Sequence, residues 1–279
     1  MKEILIAALV VSAIGAVCAA VLVIASRFFA IHEEDETFDK IRECLPGANC
    51  GACGYAGCDG YAKALSKEEG IKTNLCIPGG DAVSQSISDI LGVEFEDTVE
   101  QVAVVHCYGD CNHTSLKMDY VGIQSCEAAK TLYGGQGKCM FGCIGLGDCV
   151  RVCPQNAICL QNGIAHIDTR KCIGCGLCVR ACPRGIIDVM DDVERVLITC
   201  HNTEKGATAK SKCTNACIGC KKCEKNCHTG AIQVVNNLAR VDYSLCDHCG
   251  ECAKNCPVGC ILISDFNGMH RYTEKAETK

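Results

Sequence analysis

The sequence predicts an α+β fold assembled from small cysteine-rich modules behind a single apolar helix. Three observations carry this. The chain has 279 residues, of which 29 are cysteine. One four-cysteine spacing occurs three times between residues 172 and 256, and an uncharged run covers Ile4–Ser26. The length allows about two domains plus extras at roughly 150 residues per domain. Cysteine at this density means a disulfide scaffold or a metal protein. Thiols with two residues between them converge on one small centre, which suits thiolate ligation better than crosslinking of long loops. Metal is therefore preferred, and with it a reducing, cytosol-facing compartment. Aromatic residues make up 5% of the chain and tryptophan is absent. A core this thin is that of small domains folded around metal centres, where ligation replaces part of the apolar burial. The formal charge of −6 argues against nucleic acid as a partner.

The first element is the run from Ile4 to Ser26, 23 residues. As a helix at 1.5 Å per residue it spans about 34 Å, enough for a hydrocarbon core of about 30 Å. A secretory signal is the rival, but its apolar region is normally shorter. Residues 1–30 are thus predicted to be an uncleaved transmembrane anchor. Lys2 and Arg27 leave the flanking charge nearly balanced, so orientation follows from the thiols, which belong on the cytoplasmic side. A single helix without internal charge cannot form an ion path.

Residues 31–95 form the second element. Cys50, Cys53, Cys58 and Cys76 stand as C-x2-C-x4-C-x17-C, the four thiolates that a [4Fe–4S] cluster needs. Gly51, Gly54, Gly57 and Gly60 let the chain wrap closely around them. A four-cysteine zinc site is the alternative. Cys44 is read as a spare thiol, and Asp81–Leu91 as an amphipathic helix.

After a cysteine-containing connecting segment at 96–138 come two tandem units, at 139–195 and 196–270, with a tail at 271–279. Cys172, Cys175, Cys178 and Cys182 follow C-x2-C-x2-C-x3-C, as do Cys217, Cys220, Cys223 and Cys227, and again Cys246, Cys249, Cys252 and Cys256. Between the runs, "AICLQNGIAHID" and "AIQVVNNLARVD" alternate like strands around Asn162-Gly163 and Asn236-Asn237, as in the hairpins of a bacterial two-cluster ferredoxin. There the fourth cysteine of each run ligates the other cluster. By that rule Cys217, Cys220 and Cys223 take Cys256, Cys246, Cys249 and Cys252 take Cys227, and Cys172, Cys175 and Cys178 take Cys153. The remaining run, "CMFGCIGLGDCVRVCP", has gaps of three, five and three, with Leu146 in place of a middle thiol. Alignment with "CTNACIGCKKCEKNCH" matches Cys139 to Cys213 and Leu146 to Cys220. The expectation is that Cys139 replaces the missing thiol and joins Cys143, Cys149 and Cys182. At least five [4Fe–4S] clusters are therefore expected. A sixth is open, from Cys107, Cys111 and Cys126 with Cys200 or Cys213; Cys200 ends an apolar run much as Cys107 does. Buried thiols or zinc are the alternatives there. Cys159 and Cys260 read as small apolar residues, and His106, His113, His166 and His248 as ordinary polar ones.

With its anchor, "LPGANCGACGYAGC", "CIPGG" and ferredoxin repeats, the whole chain resembles the B subunit of the Rnf complex. The resemblance implies an iron–sulfur subunit of a membrane-bound ferredoxin:NAD oxidoreductase coupled to sodium or proton translocation. It implies soluble ferredoxin as electron donor, and membrane partner subunits carrying flavin, the NAD site and the ion path. The doubled ferredoxin unit departs from shorter members of that family. The residues agree with such a relay: no G-x-G-x-x-G follows a strand, and no nucleophile–base pair is evident. Lys221, Lys222, Lys225, Arg180 and Arg184 flank cluster loops and could meet an acidic ferredoxin. Two other classes are a membrane-tethered redox sensor and an electron-feeding subunit of another oxidoreductase, such as a hydrogenase.

Overall fold

A computed structural model of the chain describes residues 14–24, 36–68, 70–192, 195–265 and 268–270. The tail and the ends of the predicted anchor lie outside the described residues. Residues 14–24 are helical (α1), with Val17, Val21, Leu22 and Ile24 exposed. Among the described residues, no helix is long and apolar enough to cross a membrane.

Three helices build the first module: α2 (Glu36–Cys44), α3 (Gly57–Lys67) and α4 (Gly80–Leu91). The amphipathic pattern read at 81–91 is α4, and it stops where Gly92 takes the left-handed conformation, φ +67°. Ile41, Tyr61 and Ile87, one from each helix, are fully buried against one another with Leu45 and Leu65. The loop before α3 turns through Gly51, Gly54 and Gly57, all at positive φ. At Gly57 a Cβ would stand 2.8 Å from Asn49 Oδ1, the atom that accepts from the Cys58 N–H at 2.9 Å. Side chains are excluded there by both backbone conformation and space.

The first ferredoxin unit starts earlier than residue 139. Strand β1 (Gln101–Val105) lies in the segment expected to be a connector and pairs antiparallel with β4 (Ile187–Asp191), from Gln101–Asp191 to Val105–Ile187. Between them lie α5 (Cys126–Tyr133), α6 (Asp148–Arg151), the hairpin β2 (Ile158–Gln161) and β3 (Ile164–Ile167), and α7 (Leu177–Ala181). The second unit repeats this plan. Its outer pair is β5 (Arg195–Ile198) with β8 (Ile261–Asp265), and β9 (Gly268–His270) joins β8. Its inner parts are α8 (Gly206–Lys212), α9 (Lys222–Lys225), the hairpin β6 (Ile232–Val235) and β7 (Leu238–Val241), and α10 (Glu251–Lys254). Both hairpin turns have two residues at positive φ, Asn162-Gly163 and Asn236-Asn237. Two-residue turns of this kind match the strand twist.

The two units are joined by direct contacts. Tyr108 N–H donates to Thr199 O at 3.2 Å, and Thr214 N–H to His113 O at 2.9 Å. Thr114 Oγ1 donates to Lys212 O at 2.7 Å. His106 Nδ1 donates to Ile198 O at 2.7 Å, while its Nε2 stands 3.1 Å from Asp188. His106 thus links the two units.

Candidate metal centres

None of the cysteines is disulfide-bonded. In the first module Cys76 has Cys58, Cys53 and Cys50 as its thiol neighbours, and burial first, then these neighbours, pushes its thiol up to about 11. In the second unit Cys223 has Cys217, Cys256 and Cys220 as thiol neighbours, while Cys252, beside Cys223, also has Cys246 and Cys249, and Cys249 has Cys227. In the first unit Cys153, Cys172, Cys175 and Cys178 line one hollow. The third cysteine of each run sits in a one-turn helix and is buried: Cys149 in α6, Cys178 in α7, Cys223 in α9 and Cys252 in α10.

The fifth group differs from the sequence-based expectation. A separate hollow is lined by Cys126, Cys143, Cys149 and Cys182, and Cys149 has Cys143, Cys126 and Cys182 foremost among its thiol neighbours, with Cys178 after them. Cys139 lines a second hollow with Cys107, Cys200 and Cys213, and Cys143 borders both. Of the expected set Cys139, Cys143, Cys149 and Cys182, the last three line the first of these hollows together, and Cys126 lines it with them. The cause is α5. Its first turn packs Cys126 and Ala129 against Ile144 and Leu146, so the inserted helix supplies the thiol that Leu146 lacks. Asp148 holds that turn in place: its Oδ2 accepts from Ser125 Oγ at 3.0 Å and from the Glu127 N–H at 3.1 Å. Cys111, the other thiol considered nearby, is exposed, and its N–H donates to Asn162 O at 2.9 Å.

These groups fit iron–sulfur clusters on their own chemistry. Burial, then crowding by neighbouring thiols, pushes Cys149 and Cys252 up to about 12. Thiols crowded in this way resist ionising until a cationic core neutralises them. In the second unit the S–H of Cys260, a residue read from sequence as merely apolar, stands 3.7 Å from Cys256 Sγ. Its hydrogen bonds hold Cys256 at about 5 and Cys217 at about 6. Arg184 borders the hollow of Cys126 and Cys182, and its Nε is buried with no hydrogen-bond partner among the described residues. A cation aimed there would stabilise the more negative, reduced state of a cluster. Arg184→Gln is therefore expected to lower the midpoint potential of that centre by about 50–100 mV, the equivalent of roughly 1–2 kcal/mol for one electron. An EPR-monitored redox titration measures it, and an unchanged midpoint would show that solvent screens the guanidinium.

The fold and these thiol groups define an iron–sulfur electron-transfer protein built from several [4Fe–4S] binding domains. Comparisons with known proteins agree. Residues 45–78 match the family described as putative Fe-S cluster, 141–157 and 165–188 match 4Fe-4S binding domains, and 216–260 match the 4Fe-4S dicluster domain. The chain is 39% identical over 247 residues to the B subunit of the proton-translocating ferredoxin:NAD(+) oxidoreductase complex of Clostridium ljungdahlii, covering 88% of this chain and 87% of that one. It is 37% identical over 226 residues to the Na(+)-translocating counterpart of Acetobacterium woodii, covering 81% and 67%. The B subunit of an ion-translocating oxidoreductase complex of Methanosarcina acetivorans is 38% identical over 215 residues, covering 76% and 81%. The chain belongs to this family, the B subunits of the ion-translocating ferredoxin:NAD(+) oxidoreductase, or Rnf, complex. It is an iron–sulfur electron-transfer component of such a complex.

Proposed function

We propose that the chain takes electrons from reduced ferredoxin at its second unit and relays them through at least five [4Fe–4S] clusters to partner subunits at the membrane. When bound, the clusters supply one-electron redox chemistry. The ligand sets are Cys50, Cys53, Cys58 and Cys76; Cys126, Cys143, Cys149 and Cys182; Cys153, Cys172, Cys175 and Cys178; Cys217, Cys220, Cys223 and Cys256; and Cys227, Cys246, Cys249 and Cys252. Residues 4–26 anchor the chain in the inner membrane with the clusters on the cytoplasmic side. The exposed apolar side chains along residues 14–24 support that reading. Partner subunits carry the flavin, the NAD site and the ion path.

The observation that carries the relay is continuity across the module boundary. Cys50 of the first module is the foremost charged neighbour of Cys175 in the first ferredoxin unit, and Arg180 Nη2 donates to the Cys50 carbonyl. Cluster sites thus abut without an intervening domain. Of the basic residues considered for docking, Arg180 and Arg184 are engaged inside the chain, Arg184 with Gly134 O. Lys221, Lys222 and Lys225 are exposed around the exposed Cys220 and form the favoured ferredoxin face. Lys222→Glu/Lys225→Glu is expected to slow reduction by ferredoxin about tenfold at low ionic strength, an effect that salt erases. Stopped-flow mixing of the purified complex with reduced ferredoxin tests this. A complex that fails to oxidise ferredoxin would remove the proposed role.

A further inference from the structure

The thiols Cys107, Cys139, Cys200 and Cys213 fall outside every matched family segment, yet they line one hollow at the junction of the two ferredoxin units. Resting on the relay reading above, we propose that these four cysteines ligate a sixth [4Fe–4S] cluster that bridges the two units.

The site is built twice over, once from each unit. Cys107 lies two residues beyond β1 and Cys200 two beyond β5, the outer strands that occupy the same place in each unit. Cys139 stands four residues before Cys143, and Cys213 four before Cys217. Each unit therefore contributes one thiol after its outer strand and one just upstream of its first cluster run. The hydrogen bonds repeat as well. The Cys143 N–H donates to Cys107 Sγ at 3.3 Å, and the Cys217 N–H donates to Cys200 Sγ at the same 3.3 Å. The amide of Asn202, only 1% exposed, approaches Cys139 Sγ at 3.8 Å. Amide donors aimed at sulfur stabilise thiolates around a cluster and tune it.

Space is reserved for close approach. At Gly109 a Cβ would stand 3.0 Å from Cys213 Sγ and 3.9 Å from Cys107 Sγ; at Gly142 it would stand 3.4 Å from Cys107 Sγ and 3.7 Å from Cys139 Sγ. The two glycines thus flank the sulfurs of both units. The first cysteine of an adjacent cluster run touches the site on each side, Cys143 on one and Cys217 on the other. An electron entering from one flanking cluster and leaving to the other returns the four thiolates to their starting state. No bond forms or breaks and no proton moves, and the reductant is the ferredoxin the relay already uses. A structural zinc site typically takes ligands in C-x2–4-C pairs, and no two of these four cysteines stand that close in sequence.

Native mass spectrometry of the anaerobically purified full chain, with metal analysis, tests the proposal. The expected count is roughly 24 iron atoms, four for each of six clusters. Cys213→Ala should lose roughly four of them, and Cys107→Ala/Cys213→Ala no more than Cys213→Ala alone, because both thiols serve one centre. Unchanged iron in Cys213→Ala, or a zinc ion in wild type that this variant loses, would overturn the bridging cluster. If the variant does not fold, the wild-type count decides: about 20 iron atoms would overturn it and leave the five-cluster reading standing. A wild-type total well below 20, with the loss of four still seen in Cys213→Ala, would strike the five-cluster reading and support this site.

Discussion

Replacing Cys126 by alanine is expected to remove one [4Fe–4S] cluster, roughly four iron atoms, from a chain in which every residue of the irregular run 139–153 is intact. The reason is the seating of Cys126 at the start of α5, where it completes the hollow of Cys143, Cys149 and Cys182. Cys139→Ala should also lose roughly four atoms, but from a different centre. The decisive variant is therefore Cys126→Ala/Cys139→Ala. If the two thiols serve separate clusters, it loses roughly eight atoms; if they share one, it loses only about four. Iron analysis of the three variants, with EPR of the reduced chain to show which signal disappears, separates these outcomes. Full iron retention in Cys126→Ala would sink the assignment.

Removing the iron is expected to unfold both ferredoxin units. In the second unit the buried core consists of Cys217, Cys223, Cys252 and Cys260 together with Val196, Ile198, Ile232, Leu238 and Ile261 among others. Thiols make up a large share of that core, and the hairpin of β6 and β7 has only four residues per strand. Two-stranded hairpins are marginal by themselves. Ligation then contributes on the order of 10 kcal/mol, by analogy with structural zinc domains. The first module has a better apolar complement in Ile41, Tyr61, Leu65 and Ile87 and should keep part of its helix. Anaerobic chelation followed by hydrogen exchange measures the contrast. Full protection of β6, β7 and β8 in the iron-free chain would show that apolar packing alone holds the unit.

Much of this was legible in the chain itself. Ligand spacing is local information: C-x2-C-x2-C-x3-C places three thiols on one loop whatever surrounds it, and the three regular runs declared the ferredoxin units. The turns at Asn162-Gly163 and Asn236-Asn237 were readable for the same reason, since positive φ is a property of single residues. Even the bridging site left a trace. Cys213 is matched to Cys139 although the second unit already has all the ligands its own clusters need, which left Cys213 over in the sequence reading.

Tertiary structure decided what depends on long-range approach. Cys126 lies 17 residues before Cys143, in a helix that only the first unit carries in this form, and no spacing rule connects the two. Leu146 and Ile144 draw that helix onto the loop through apolar contact, and the same packing leaves Cys139 facing Cys107. The pairing of β1 with β4 joins residues as far apart as Gln101 and Asp191, so a strand that read as part of a connector became the outer edge of the first unit. The four junction thiols come two from each unit, and the two pairs meet only when the units dock. The sequence alone determined that the chain carries electrons on clusters. Which thiols share a centre is set by how separately folded loops pack against each other.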